Sequence, residues 1–245
     1  MQTLKEQVLA AFSAESVLRF DAHCHYHWLS QNKVSDIAAF INTVTPQEFL
    51  EVSDIVQSWG NVGLGLHPWY VEECDVELFE GLLSQTRLIG EIGLDFTKRF
   101  TDAQKQKQVE TFEKICSAMS DTKTRSAMSD TKIISVHTFR TQGLTHQFLK
   151  DNGVLKNCIV IYHWFGDGPA DLKEAISDNC LFSVNERMLS TKKGAELAKM
   201  IPEEQLLFET DMPKARGDFW SLEDAQESII SAWQKWMKMV NATSK

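Results

Sequence analysis

The sequence contains no C-x-x-C pair, and its five cysteines, Cys24, Cys74, Cys116, Cys158 and Cys180, are odd in number. Both features argue against a disulfide framework and fit a reducing compartment. No run of 18 consecutive apolar residues occurs, which excludes an apolar helix of membrane-spanning length. The N-terminus, interrupted by Lys5, Glu6 and Glu15, also lacks the continuous apolar core of a signal peptide. Leu4, Val8, Leu9 and Phe12 recur instead at helical spacing and predict a short amphipathic helical extension within residues 1–18. These absences point to a soluble, cytoplasmic protein. Positive charge is scarce as well: 25 Lys and Arg stand against 34 Asp and Glu, a net charge of -9. Gripping nucleic acid with a broad basic surface requires clustered Lys and Arg that displace counterions, so that class is excluded. A nuclease whose phosphate contacts are metal ions is not.

At 245 residues, 43% of them apolar, the chain has the length of an α/β barrel built as a single domain, 1–245. Short apolar runs fall at 20–26, 37–41, 62–67, 87–95, 133–137, 158–163, 181–184 and 206–211. Between them lie helix-period patterns, including Phe49, Leu50, Ile55 and Val56 after Pro46, and Val109, Phe112, Ile115 and Met119 within 101–119. The chain closes on Ile229, Ile230, Trp233, Trp236, Met237 and Val240 at helical spacing. Eight apolar runs separated by helices predict a parallel (β/α)8 TIM-type barrel, each strand covered on both faces. An open doubly wound sheet is the rival, but no G-x-G-x-x-G follows a predicted strand. One oddity stands apart: S-A-M-S-D-T-K at 117–123 recurs letter for letter at 126–132. A single tandem copy builds no repeat architecture, so 117–132 reads as an extended helix end or a surface loop.

The ligand-type residues cluster at the C-terminal ends of these runs, where barrel active sites are built. His23 and His25 end the first run, Glu91 lies in the fourth, His137 ends the fifth, His163 the sixth and Asp211 the eighth. In a strand, residues i and i+2 share a face, so Asp21, His23 and His25 line one side and Cys24 turns away. Taken singly, each residue has a structural reading: a core histidine, a capped glutamate, a turn aspartate. Together, four imidazoles and two carboxylates match the ligand chemistry of two divalent ions.

These motifs resemble the TatD family of metal-dependent deoxyribonucleases, within the amidohydrolase-like barrels. The likeness rests on D-A-H-C-H at 21–25, G-L-H-P at 65–68 and G-E-I-G-L-D at 90–95. It continues in V-H-T-F-R, Y-H-W-F-G and L-L-F-E-T-D-M-P at 206–213. The resemblance implies a two-metal phosphodiesterase using magnesium, manganese or zinc. His23, His25, Glu91 and Asp211 would hold one ion, and Glu91, His137 and His163 the other, with Glu91 bridging. Asp211 would take the proton of the attacking water. It further implies a DNA substrate, single-stranded or presented as a 3′ end, degraded in the 3′ to 5′ direction. His67 is a candidate for substrate phosphate or for bracing the rim, Arg140 for a phosphate clamp, and Asp95 for orienting a ligand. Trp69, Trp164, Phe165 and Phe219 are candidates for stacking on bases or for packing.

The chain departs from the family in two places. Phe139 stands where relatives carry arginine, with Arg140 one position later, and Lys214-Ala215-Arg216-Gly217 replaces a longer basic loop. Some TatD-like proteins act within multi-gene bacterial defence systems, a specialisation such departures would suit. Two further readings stay open: an amidohydrolase-like hydrolase of a small ester, lactone or nucleotide, and a barrel kept as a non-catalytic binding subunit.

Overall fold

The computed structural model describes residues 2–27, 37–56, 61–120, 131–213 and 217–243. Among them the strands, in chain order, are β1 (Phe20–Cys24), β2 (Ala38–Asn42), β3 (Asn61–Leu66), β4 (Leu88–Asp95), β5 (Lys132–Phe139), β6 (Cys158–His163), β7 (Leu181–Val184) and β8 (Leu206–Phe208). The helices are α1 (Leu4–Ala11), α2 (Pro46–Val56), α3 (Val76–Leu82), α4 (Asp102–Ser120), α5 (Gln142–Asp151), α6 (Val154–Asn157), α7 (Pro169–Ser177), α8 (Glu186–Leu189), α9 (Lys192–Ala198) and α10 (Leu222–Thr243). The 117–132 repeat falls largely outside the described residues. Its first four residues end α4, and Lys132 opens β5. None of the described helices is long and apolar enough to cross a membrane. By contact the chain divides into two compact units, Met1–Ile41 with His163–Lys245, and Asn42–Tyr162.

In the second unit β3, β4, β5 and β6 pair side by side in parallel. All eight residues of β4, L-I-G-E-I-G-L-D, are buried, as expected of a parallel strand covered on both faces. Gly93 is the residue that lets β4 and β5 close up. It pairs with His137 at a φ of 145°, and a Cβ there would stand 2.0 Å from the His137 carbonyl oxygen. Only glycine meets both the backbone angle and the close approach. The pairing therefore fixes His137 beside the strand that carries Glu91.

In the first unit β1 pairs with β2, and β7 with β8, again in parallel. The capping box at the start of α1, Thr3 with Glu6, satisfies two backbone donors. Just beyond that helix, Phe12 packs against Phe20 and Phe40 with ring centroids 4.8 and 5.0 Å away. The closing helix α10 buries Ala225, Ile229, Ala232 and Trp236, and the Trp236 ring meets Phe208 of β8. The sequence predicts β8 through Asp211, but the strand stops at Phe208. Glu209 N still donates to the Val184 carbonyl of β7 at 3.1 Å, but the residues after it turn to the β1 side: Asp211 N donates to the His23 carbonyl at 2.9 Å, and His25 N to the Met212 carbonyl at 2.8 Å. Asp21 clasps the same junction, accepting from Thr210 N at 3.0 Å, Thr210 Oγ1 at 2.6 Å and His23 N at 3.2 Å. Burial drives its carboxyl up to about 7 despite these hydrogen bonds. Asp21 is thus a structural clasp that ties β1 to the turn after β8.

Candidate metal centre

In the first unit, donors converge from the ends of β1 and β6 and from the turn after β8. The rings of His23 and His163 stack in near-parallel planes, centroids 4.0 Å apart. Ligand atoms of His23, His163 and Asp211 all lie within 4.8 Å of one another. His25 approaches from the edge, its Nε2 3.6 Å from Asp211 Oδ1. Asp211 has a left-handed backbone, φ 53°, a conformation that Asp and Asn tolerate better than most residues. Burial pushes its carboxyl up, but the His25 hydrogen bond and the nearby charges of His163, His23 and His25 outweigh it and hold the group below the usual range. Behind His163 lies Glu209, whose Oε1 is 3.9 Å from His163 Nδ1. Glu209 is fully buried, accepts from Asn185 Nδ2 at 2.8 Å and from Ser183 Oγ, and is pushed up by that burial.

In the second unit the arrangement is parallel in kind. Glu91 on β4 is 4% exposed, and its Oε1 lies 2.9 Å from His137 Nδ1 and 3.3 Å from His67 Nε2. His67 Nδ1 accepts from Trp69 N at 3.1 Å. This leaves the neutral ring's proton on Nε2, aimed at Glu91. The other nitrogen of His137, Nε2, meets Asp95 Oδ2 at 3.2 Å. Asp95 in turn accepts from Trp69 Nε1 at 2.7 Å and from Thr97 N at 2.8 Å. Burial raises Asp95, but the bonds from His137, Trp69 and Thr97 win and hold it well below the usual carboxylate range.

Divalent ions fit these donors. In each unit imidazoles and a carboxylate bring one ligand atom apiece within 4.8 Å of the others. Catalytic sites for borderline metals are built from about three such donors, with a position left for water. His137 also carries the usual backing, a ring nitrogen turned to the Asp95 carboxylate at 3.2 Å, while the Glu209 carboxylate lies 3.9 Å behind His163. In the second unit, Glu91 and His137 would be the donors to an ion that takes the place of their present 2.9 Å contact, because His67 presents a proton on the nitrogen that faces Glu91.

Arg140 ends up exposed just past β5 at a φ of 59°, its guanidinium 5.5 Å from the Phe139 ring. Cys24 is fully buried with Sγ 3.7 Å from the Phe40 carbonyl, and belongs to neither donor group. Of the candidate stacking rings, Phe165 packs against Phe182 in the core, and Trp164 lies under the Arg187 guanidinium at 4.6 Å. Phe219 is 82% and Trp69 44% exposed. Sequence reasoning did not single out Glu209 or Asn185. The available signal for Glu209 was a carboxylate directly after an apolar strand, two residues before a ligand.

A family model for TatD-related DNases matches residues 20–229 of this chain. The chain is 22% identical over 242 residues to the human deoxyribonuclease TATDN3, covering 85% of each protein. It is 27% identical over 218 residues to an uncharacterized metal-dependent hydrolase of Buchnera aphidicola, covering 79% of this chain and 77% of that one. Among solved structures, YJJV, a TatD homologue from Escherichia coli K12, matches with a TM-score of 0.73 at 17% identity over 91% of each chain. A TatD-family hydrolase from Entamoeba histolytica matches with a TM-score of 0.68 at 15% identity, again over 91% of each. At these identities the structural likeness is one of fold, and that fold is the (β/α)8 TIM-type class expected from the sequence.

Proposed function

The chain belongs to the TatD-related DNase family, metal-dependent hydrolases of ester bonds, and we propose that it cleaves DNA phosphodiester bonds with two bound divalent ions, working from 3′ ends of single strands. The observation that carries this reading is the convergence, in each unit, of imidazole and carboxylate ligand atoms within 4.8 Å. Of the six residues the resemblance implies as ligands, His23, His25, His163 and Asp211 are those the first unit would offer to an ion, and Glu91 and His137 those of the second. Magnesium, manganese or zinc would lower the pKa of a water and offset charge on the phosphate oxygens.

The protein's own groups do the rest. Asp211, held deprotonated by the imidazoles around it, accepts the proton of the attacking water. Glu91 lies between two imidazole nitrogens, and Asp95 keeps His137 turned toward it. His67 braces Glu91. Arg140, solvent-exposed beside the end of β5, clamps a phosphate, since a guanidinium binds two oxygens at once. With a net charge of -9, the protein relies on these few contacts rather than on a broad basic surface.

A 5′-labelled single-stranded oligonucleotide, incubated with the protein and each metal, tests the reading. A ladder that shortens from the 3′ end, and slower loss of blunt duplex, is the expected outcome. A protein that cuts neither DNA nor bis-p-nitrophenyl phosphate with magnesium, manganese or zinc would overturn it.

A further inference from the structure

Trp69 is unusual in facing both ways. Its ring is 44% exposed and carries the Arg99 guanidinium on one face at 3.5 Å. Its polar atoms, however, both point inward. The indole Nε1 donates to Asp95 Oδ2 at 2.7 Å and the backbone N donates to His67 Nδ1 at 3.1 Å. From these two bonds the contacts run on in a loop: Asp95 to His137 at 3.2 Å, His137 to Glu91 at 2.9 Å, and Glu91 back to His67 at 3.3 Å. Every polar side chain of the second unit's donor set is thereby held, directly or through one neighbour, by the same residue.

We propose that Trp69 is a positioning residue for metal binding: its indole N–H sets the Asp95 carboxylate that orients His137, while its backbone N–H sets the His67 ring that orients Glu91. The inference rests on the reading of Glu91 and His137 as metal donors. Asp95 is 1% exposed, so no bulk water stands ready to replace the indole as a donor, and without it the Oδ2 that faces His137 loses its second partner, Thr97 N holding only Oδ1. A phenylalanine would keep an aromatic ring there, smaller than the indole and without that bond. The cation on the ring's outer face strengthens the placement, because a guanidinium over an indole is attracted to its π face.

Trp69→Phe keeps an aromatic ring and the backbone N–H and removes the indole donor. Manganese and zinc affinities of the wild type, Trp69→Phe, Asp95→Asn and the double variant, measured by calorimetry on chelator-stripped protein, test the proposal, with thermal melting as the check on folding. Trp69→Phe should weaken binding about fivefold, the worth of one hydrogen bond. Asp95→Asn should weaken it about 10- to 100-fold, as loss of a metal ligand's partner does. The double variant should bind like Asp95→Asn alone, since the indole reaches the metal donors only through the Asp95 side chain. Wild-type affinity in Trp69→Phe, or losses that multiply in the double variant, overturn the inference while leaving the metal reading intact. A wild type that binds no divalent ion overturns both. If Trp69→Phe does not fold, Trp69→Met, which likewise lacks the indole donor and keeps the backbone N–H, takes its place in the same comparison.

Discussion

Glu91→Gln is expected to lose at least about 100-fold in kcat/KM on single-stranded DNA while melting within a few degrees of the wild type. The size follows from what the substitution keeps and what it removes. Glutamine matches glutamate in shape, and its amide oxygen still accepts from His67 Nε2 and His137 Nδ1, which now meet Glu91 Oε1 at 3.3 and 2.9 Å. The packing of β4, buried along its whole length, is unchanged. What disappears is the negative charge, and with it the anionic donor of the second unit. Changing a group that merely orients a metal ligand costs about 10- to 100-fold, so changing the ligand itself costs at least the upper end. Steady-state kinetics with a melting curve decides. A Glu91→Gln protein that cuts DNA at the wild-type rate removes Glu91 from the mechanism.

Asp211→Asn is the second large effect, about 10²- to 10⁴-fold in kcat, the usual worth of a general base. The backbone makes this substitution informative. Asp211 has a φ of 53°, and asparagine tolerates that region about as well as aspartate. The Asp211 N bond to the His23 carbonyl survives too. Asparagine therefore tests the charge alone. Asp211→Ala adds backbone strain of about 1 kcal/mol or more, so it should melt at a lower temperature than Asp211→Asn while being no less impaired in rate. Equal activity of Asp211→Asn and wild type would show that the proton goes elsewhere.

The strands were legible because each is an apolar run bounded by polar or turn residues, and burial on both faces rewards such runs. Donor residues at the strand ends were legible for the converse reason: His23, Glu91, His137 and His163 interrupt or end runs that packing alone would fill with Val, Ile or Leu. The early end of β8 was not, because 209–211 look like continued strand, whereas Asp21 and His23 take the backbone N–H groups of Thr210 and Asp211. The four-residue helices α6 and α8 are too short to show a period. His67 was legible as functional but not in its role, since the deciding bond is a backbone N–H of Trp69, which no side-chain pattern announces. Glu209 was hidden by its proximity to Asp211, and its job depends on Ser183 and Asn185 at the end of another strand.

The claim that this protein hydrolyses DNA through its bound ions is tested most directly by one assay: cleavage of a single-stranded oligonucleotide by protein treated with chelator, dialysed, and then supplied with magnesium, manganese or zinc. The stripped protein should leave the oligonucleotide intact and recover its activity when at least one of the three ions is returned. Stripped protein that cuts as fast as untreated protein would contradict the account.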